Sequence, residues 1–161
     1  MSWKKRNKSR KTDRRLIKSK KTTIDGVEMK SRLEGAMMLL LKSSGLDFSY
    51  ESQSFIISDA FNFDNISFER KANGKGDMID RGGKKVQNIS YTPDFVIPHF
   101  EVTYIIECKG LRTESFNMRY KLFKKHITDN NLNYKLYMPH TQKECKVVMD
   151  LILTDISNTK K

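Results

Sequence analysis

Asp94, Glu107 and Lys109, in the stretch YTPDFVIPHFEVTYIIECKG from Tyr91 to Gly110, have the types and spacing to act on a phosphate. Two runs rich in β-branched and aromatic residues, Asp94 to Ile97 and Val102 to Cys108, carry them. Few residues separate the runs, so the spacing predicts a β-hairpin. With its loop centred between Phe100 and Glu101, the hairpin pairs residues whose numbers sum to 201. Asp94 then faces Glu107, and Thr92 faces Lys109. Directly opposed side chains share a face at about 5 Å between Cβ atoms. Lys109 joins Glu107 on that face, while Cys108 points the other way. A slip of one residue would scatter the patch.

Two carboxylates held this close repel each other unless a cation sits between them or one takes up a proton. Mg²⁺ is a hard cation that binds through one or two carboxylates, water and substrate phosphate. A metal there would polarise a phosphoryl oxygen. Lys109 has the charge to orient an attacking water or to stabilise charge building on the phosphate. The same trio also fits a cross-strand salt bridge on a solvated sheet face, and spacing alone leaves both readings open.

The string Pro93-Asp94-Phe95, followed by Glu107-Cys108-Lys109-Gly110, resembles the PD-(D/E)XK nuclease motif. That resemblance implies that Asp94, Glu107 and the backbone carbonyl of Cys108 bind Mg²⁺ (or Mn²⁺), and that Lys109 assists the nucleophile. The strings YTPDF, ECKG and SRLEGAM resemble the phage endonuclease I family of Holliday-junction resolving enzymes. They are also similar to small phage proteins of that superfamily in which KG precedes a Thr-Glu-x-Phe helix, here Thr113 to Phe116. The resemblance runs from about Lys30 to Tyr137 and is weakest between Phe55 and Ser90. It implies a restriction-endonuclease-like mixed β-sheet flanked by helices. It further implies a homodimer that cuts branched DNA in the cytoplasm of a phage-infected cell.

These residues need a scaffold. Leu33, Met37, Leu40 and Leu41 recur at helical intervals and Gly45 is a stop, which predicts a helix from Ser31 to Ser44. Ser31-x-x-Glu34 is a capping box, reason enough for a glutamate there. The endonuclease I resemblance instead implies that Glu34 completes the metal site. Leu46, Phe48 and Tyr50 alternate as a strand, and Ser54 to Ile57 is another. Residues 58–90 read as strands joined by a flexible Gly/Lys loop, with Val86 to Tyr91 leading into the motif. Lys71, Lys75, Arg81, Lys84 and Lys85 of this segment read equally well as phosphate contacts and as ordinary loop charges.

A second helix is predicted from Thr113 to Asp129, with Phe116, Tyr120, Phe123 and Ile127 on one face. Arg119, Lys121, Lys124 and Lys125 lie on the other, where they suit either a DNA backbone or plain solvent. Leu132 to Met138 alternates as a strand. Thr141-x-x-Glu144 opens a short helix with Val147, Val148, Leu151 and Ile152 inward. The order of elements predicts an α/β (α+β) fold with a mixed sheet between helices.

The 161 residues suggest one domain. Its expected organisation is a basic disordered tail at 1–24, a folded nuclease domain at 25–157 and a frayed end at 158–161. Of the net charge of +12, residues 1–21 supply +10. Lys4, Lys5, Arg6, Lys8, Arg10, Lys11, Arg14 and Arg15 are the candidate phosphate contacts there. Trp3 is a weaker candidate for stacking on a base, and the same tail would serve as a solubilising or targeting segment. It has no apolar run of signal-peptide length, and no stretch approaches a membrane span. Cys108 and Cys145 are too few for a disulfide framework, and neither they nor the three histidines are spaced as a zinc site. Three functions follow. The first is a metal-dependent endonuclease for branched DNA. The second is a restriction-like, nicking or RNA-directed nuclease of the same fold. The third is a non-catalytic nucleic-acid-binding protein, which has no need for Asp94, Glu107 and Lys109 on one face.

Overall fold

The computed structural model describes residues 20–159. Trp3 and the candidate contacts Lys4, Lys5, Arg6, Lys8, Arg10, Lys11, Arg14 and Arg15 lie outside the described residues. The fold begins earlier than the sequence suggests. Thr22–Ile24 (β1) pairs with Val27–Met29 (β2), so residues expected in a tail form a hairpin. Asp25 and Gly26 turn it with φ of 47° and 80°. Both signs suit the two-residue turn whose twist matches flanking strands, and Asp-Gly is its favoured sequence. β1 packs against the following helix closely enough that a Cβ on Gly35 would lie 2.5 Å from Thr22 Cγ2.

That helix, Arg32–Ser44 (α1), has the predicted limits. The Ser31 side chain caps its start, and Gly45 ends it in the left-handed region at φ 70°, which favours glycine. Ser49–Tyr50 (β3) is shorter than the predicted strand; Leu46 and Phe48 pack against the core from the approach to it. Phe55–Ser58 (β4), Phe61–Phe63 (β5), Phe68–Glu69 (β6), Ile79–Asp80 (β7), Lys84–Val86 (β8) and Ile89–Tyr91 (β9) follow. They pair as β4 with β9, β5 with β8 and β6 with β7, all antiparallel.

The expected hairpin is Phe95–His99 (β10) and Val102–Ile106 (β11). Its register runs from Phe95 opposite Ile106 to His99 opposite Val102, so every pair sums to 201. Phe100 takes the positive φ of the tight turn at 49° and stays exposed. β3 lies antiparallel on the far side of β10, and Tyr134–Tyr137 (β12) lies parallel beside β11. The resulting sheet has the order β12-β11-β10-β3 and is mixed.

Glu114–Asp129 (α2) crosses between β11 and β12, and Gln142–Thr159 (α3) closes the chain. Alternation along the hairpin divides the core. Phe95, Ile97, Tyr104 and Ile106 pack with α1 and α3 on one face. Val96 and Ile105 pack with Phe55, Tyr91 and Phe123 of α2 on the other. The fold is therefore α+β, a mixed sheet with helices on both faces. The last helix corrects two expectations. It is long, at 18 residues, and runs through positions expected to fray. Its buried stripe is Cys145, Val148, Met149, Ile152 and Ile156, leaving Val147 and Leu151 exposed. At 3.6 residues per turn Val147 and Leu151 fall to one side of that stripe, while Val148 and Ile152 lie within it. Among the described residues no helix is long and apolar enough to cross a membrane.

Candidate active site

The candidate catalytic stretch lies where β10 begins and β11 ends. Asp94 and Glu107 extend the hairpin register by one further step on the α2 side of the sheet. Backbone hydrogen bonds fix both positions. The Glu51 N–H donates to Asp94 O at 2.9 Å, and the Glu107 N–H donates to Tyr137 O at 3.0 Å. The Lys109 N–H continues to Pro139 O at 3.1 Å. Glu107 and Lys109 thus bond to β12 and its extension at alternate positions. That keeps both side chains on one face and turns Cys108 into the core.

The carboxylates are buried, with Asp94 8%, Glu107 5% and Glu34 5% exposed. Each has partners. Asp94 Oδ2 accepts the Cys108 N–H at 2.6 Å. Glu107 Oε2 accepts the Tyr91 hydroxyl at 2.8 Å, and Lys109 Nζ stands 3.5 Å from Oε1. Lys109 Nζ also lies 4.3 Å from the centre of the Phe116 ring, so α2 helps to hold it over the site. Glu34 caps α1 and faces the cleft at once. Its N–H donates to Ser31 Oγ at 3.1 Å. Its carboxylate accepts Ser31 Oγ–H at 2.7 Å, the Lys30 N–H at 3.0 Å and the Tyr50 hydroxyl at 2.6 Å. The side chain therefore accepts the N-cap hydroxyl and the N–H of the residue before it rather than the N-cap N–H, a variant of the box in the sequence.

Burial, followed by the charges of Glu107 and Glu34, pushes the Asp94 carboxyl up to about 8. Burial also raises Glu107, against the pull of Tyr91 and Lys109. In both, burial is the main cause, with carboxylate repulsion added, most of it on Asp94. The phenols of Tyr91 and Tyr50 rise too, through burial and then their carboxylate neighbours, so both remain donors. The hydrogen bond with Cys145, followed by burial, pushes the Cys108 thiol up and favours its protonated form.

A cleft of about 500 Å³ opens over these groups, with Lys30, Arg119 and Thr113 at its rim. Its donors suit a hard divalent cation, being carboxylate oxygens that repel each other, open to a cleft wide enough for a phosphate. Among the described residues no three Asp, Glu, His or Cys side chains are already gathered as a metal cluster. Asp94 and Glu107 are the pair of carboxylates that would hold such an ion. Glu34 is the third carboxylate beside the pair, its oxygens engaged in capping.

Of the cations predicted on α2, Arg119 reaches the cleft. Lys121 points to solvent, Lys124 Nζ sits 4.8 Å from the Tyr120 ring centre, and Lys125 pairs with Asp129 at 2.7 Å. Sequence reasoning missed Tyr91 and Tyr50 as carboxylate donors, and the Lys30–Glu51 ion pair at the cleft wall. Tyr91 had one signal, its place just before the Pro-Asp-Phe string at a strand end. Tyr50 and Glu51 had none, because only the β3–β10 pairing brings them to Asp94.

Fold and site together define an α+β protein with a buried acidic pair, a lysine and a basic rim in one cleft. Residues 14–143 match the family described as a protein of unknown function (DUF1064), and the chain belongs to it. No curated protein and no solved structure matches the chain.

Proposed function

We propose that the protein is a metal-dependent endonuclease of the PD-(D/E)XK type that hydrolyses phosphodiester bonds in DNA. The observation that carries this reading is the hairpin register, which sets buried Asp94 and Glu107 beside Lys109 in a cleft rimmed by Arg119 and Lys30. Asp94 and Glu107 would hold Mg²⁺ or Mn²⁺, with the Cys108 carbonyl and Glu34 as further oxygen donors implied by the resemblance. The ion would supply Lewis-acid polarisation of a phosphoryl oxygen. Lys109 stands where it can orient a water toward phosphorus and stabilise the charge that develops on phosphate. Tyr91 fixes the Glu107 carboxylate and favours its charged form. Arg119 offers a fork suited to a neighbouring phosphate.

The endonuclease I resemblance narrows the substrate to branched DNA such as a Holliday junction. It also supports a homodimer and a cytoplasmic, phage-related setting. The basic residues 4–15 add sequence-independent attraction to the backbone, which positions DNA without reading it. Incubation with Mg²⁺ or Mn²⁺, a four-way junction and a matched linear duplex tests the reading. Metal-dependent cleavage of the junction, faster than of the duplex and absent in Glu107→Gln, is the expected result. Equal cutting of both substrates would favour a restriction-like or nicking nuclease, and binding without cleavage a plain nucleic-acid-binding protein.

A further inference from the structure

The segment between β3 and β10 folds back on itself as three successive two-stranded antiparallel sheets that together make a ribbon. Its pairings run from Phe55 opposite Tyr91, through Phe61 opposite Val86, to Phe68 opposite Asp80. The register shifts by one residue between Ile56 and Ser58. Past β5, the Gly83 N–H donates to Phe63 O at 2.8 Å and the Arg81 N–H to Ser67 O at 2.7 Å, bridging to β6 and β7. A Cβ on Gly82 would lie 2.0 Å from Asn65 O, so glycine is needed for this close approach.

Only its root is covered. Phe55 and Tyr91 are buried against α2, whereas Phe61, Ile66, Phe68, Met78 and Ile79 are exposed. A two-stranded ribbon packed on nothing is marginally stable, so an occupant would add stability. Charge indicates which. The ribbon from Phe55 to Tyr91 carries six cations and five carboxylates, and its outer and returning part, residues 70–85, gathers all six cations with two of those carboxylates. Asp80 accepts the Ser67 and Gly82 N–H groups at 3.0 and 2.8 Å, so this carboxylate is engaged in folding the ribbon. Among the described residues, none of the six cations forms a salt bridge. The root also belongs to the cleft, since Ser90, Tyr91 and Thr92 line it.

Resting on the nuclease reading, we propose that this ribbon is a nucleic-acid-docking arm. It grips the phosphate backbone of a duplex whose scissile bond lies in the cleft. A two-stranded β-ribbon fits a major groove about 12 Å wide. The exposed rings of Phe61 and Phe68, set among cations, offer stacking surfaces to unpaired bases where a duplex branches.

The test compares two charge removals in the full chain. Lys84→Ala/Lys85→Ala lies on the arm. Lys143→Ala/Lys146→Ala lies on α3, which packs on the opposite face of the sheet. Binding to a fluorescent four-way junction and to its linear duplex is measured in EDTA over a salt series. Each lost phosphate contact makes the slope of log K against log salt shallower by about 0.9. The arm variant is expected to lose roughly two units and about tenfold or more in affinity, and the α3 variant neither. Equal slopes in the two variants, with wild-type binding and cleavage intact, would overturn the arm and leave the nuclease reading standing. Wild-type binding without cleavage, with the arm slope still reduced, would sustain the arm and overturn the nuclease. Sedimentation of Phe68→Ser/Ile79→Ser supplies the remaining outcome. A dimer that falls to a monomer, with salt slopes unchanged by Lys84→Ala/Lys85→Ala, would assign the ribbon to a second copy of the chain and overturn the proposal.

Discussion

Two antiparallel ribbons in this protein use the same backbone pairing in opposite surroundings. The β10–β11 hairpin has a two-residue loop, a uniform register and helices on both faces. The ribbon built from strands β4 to β9 has more pairs in total, shifts register, and buries little beyond its root. Backbone hydrogen bonds are common to both, so they do not explain the difference. Burial does, because a slip in β10–β11 would turn Phe95 and Ile106 from one core to the other. A slip in the arm would move side chains that already face water. The catalytic candidates lie on the first ribbon, where positions are strongly specified, and the exposed cations lie on the second.

A matched pair of core and arm substitutions tests that contrast most severely. Phe123, packed against Phe55 and Tyr91, is 0% exposed, and Phe68 on the arm is 59% exposed. Phe123→Ala is expected to cost about 3–5 kcal/mol of stability. Phe68→Ala is expected to cost roughly 0.5 kcal/mol or less. Urea denaturation of both variants measures the difference, and comparable costs would mean that the arm is packed after all.

Catalysis should follow the specified ribbon. Glu107→Gln removes a carboxylate charge and keeps its shape, and Lys109→Ala removes the ammonium. Each is expected to lower cleavage by about 10²-fold or more while DNA binding persists. Turnover near the wild-type rate in either variant, with metal present, would dissolve the active-site assignment.

Glu34 sharpens the contrast because it serves fold and cleft together. Glu34→Gln retains an oxygen for the Lys30 N–H and Tyr50 hydroxyl, and Gln serves in a capping box. Thermal midpoint should change little while cleavage falls about tenfold or more. Retained cleavage would confine Glu34 to capping.

The smallest expected effect is electrostatic. Asp94 is raised to about 8 by burial and by Glu107 and Glu34, so the folded state favours its neutral form. The stability linked to that form is fully present below the unfolded carboxylate range and is lost as pH rises toward 8. Metal-free protein should therefore melt several degrees lower at pH 8.5 than at pH 5.5, and Mg²⁺ should restore part of the loss at pH 8.5. Asp94→Asn should flatten the pH trend. A trend in the variant as steep as in wild type would place its origin elsewhere.

Local rules in the sequence determined α1 from its Ser31 cap to Gly45, the apolar face of α2 and the hairpin register. Each follows from periodicity, a turn or a cap, and none needs a distant partner. The register alone brought Asp94, Glu107 and Lys109 to one face. Thr22–Met29 was legible as well, through Asp25-Gly26 between two strand-like triplets, but the surrounding charge obscured it.

Tertiary structure decided the rest. Tyr50 reaches Glu34, and Glu51 reaches Asp94, only because β3 docks on β10 across more than forty intervening residues. Whether Val147 or Cys145 faces inward depended on where α3 lands against α1, since the sequence supplied apolar residues on both sides of the stripe. The strands of the arm were legible but their pairing was not, because solvated strands leave little hydrophobic alternation to fix a register. Side-chain pattern records what is buried, and pairing between exposed strands is written only in the backbone geometry that the fold supplies.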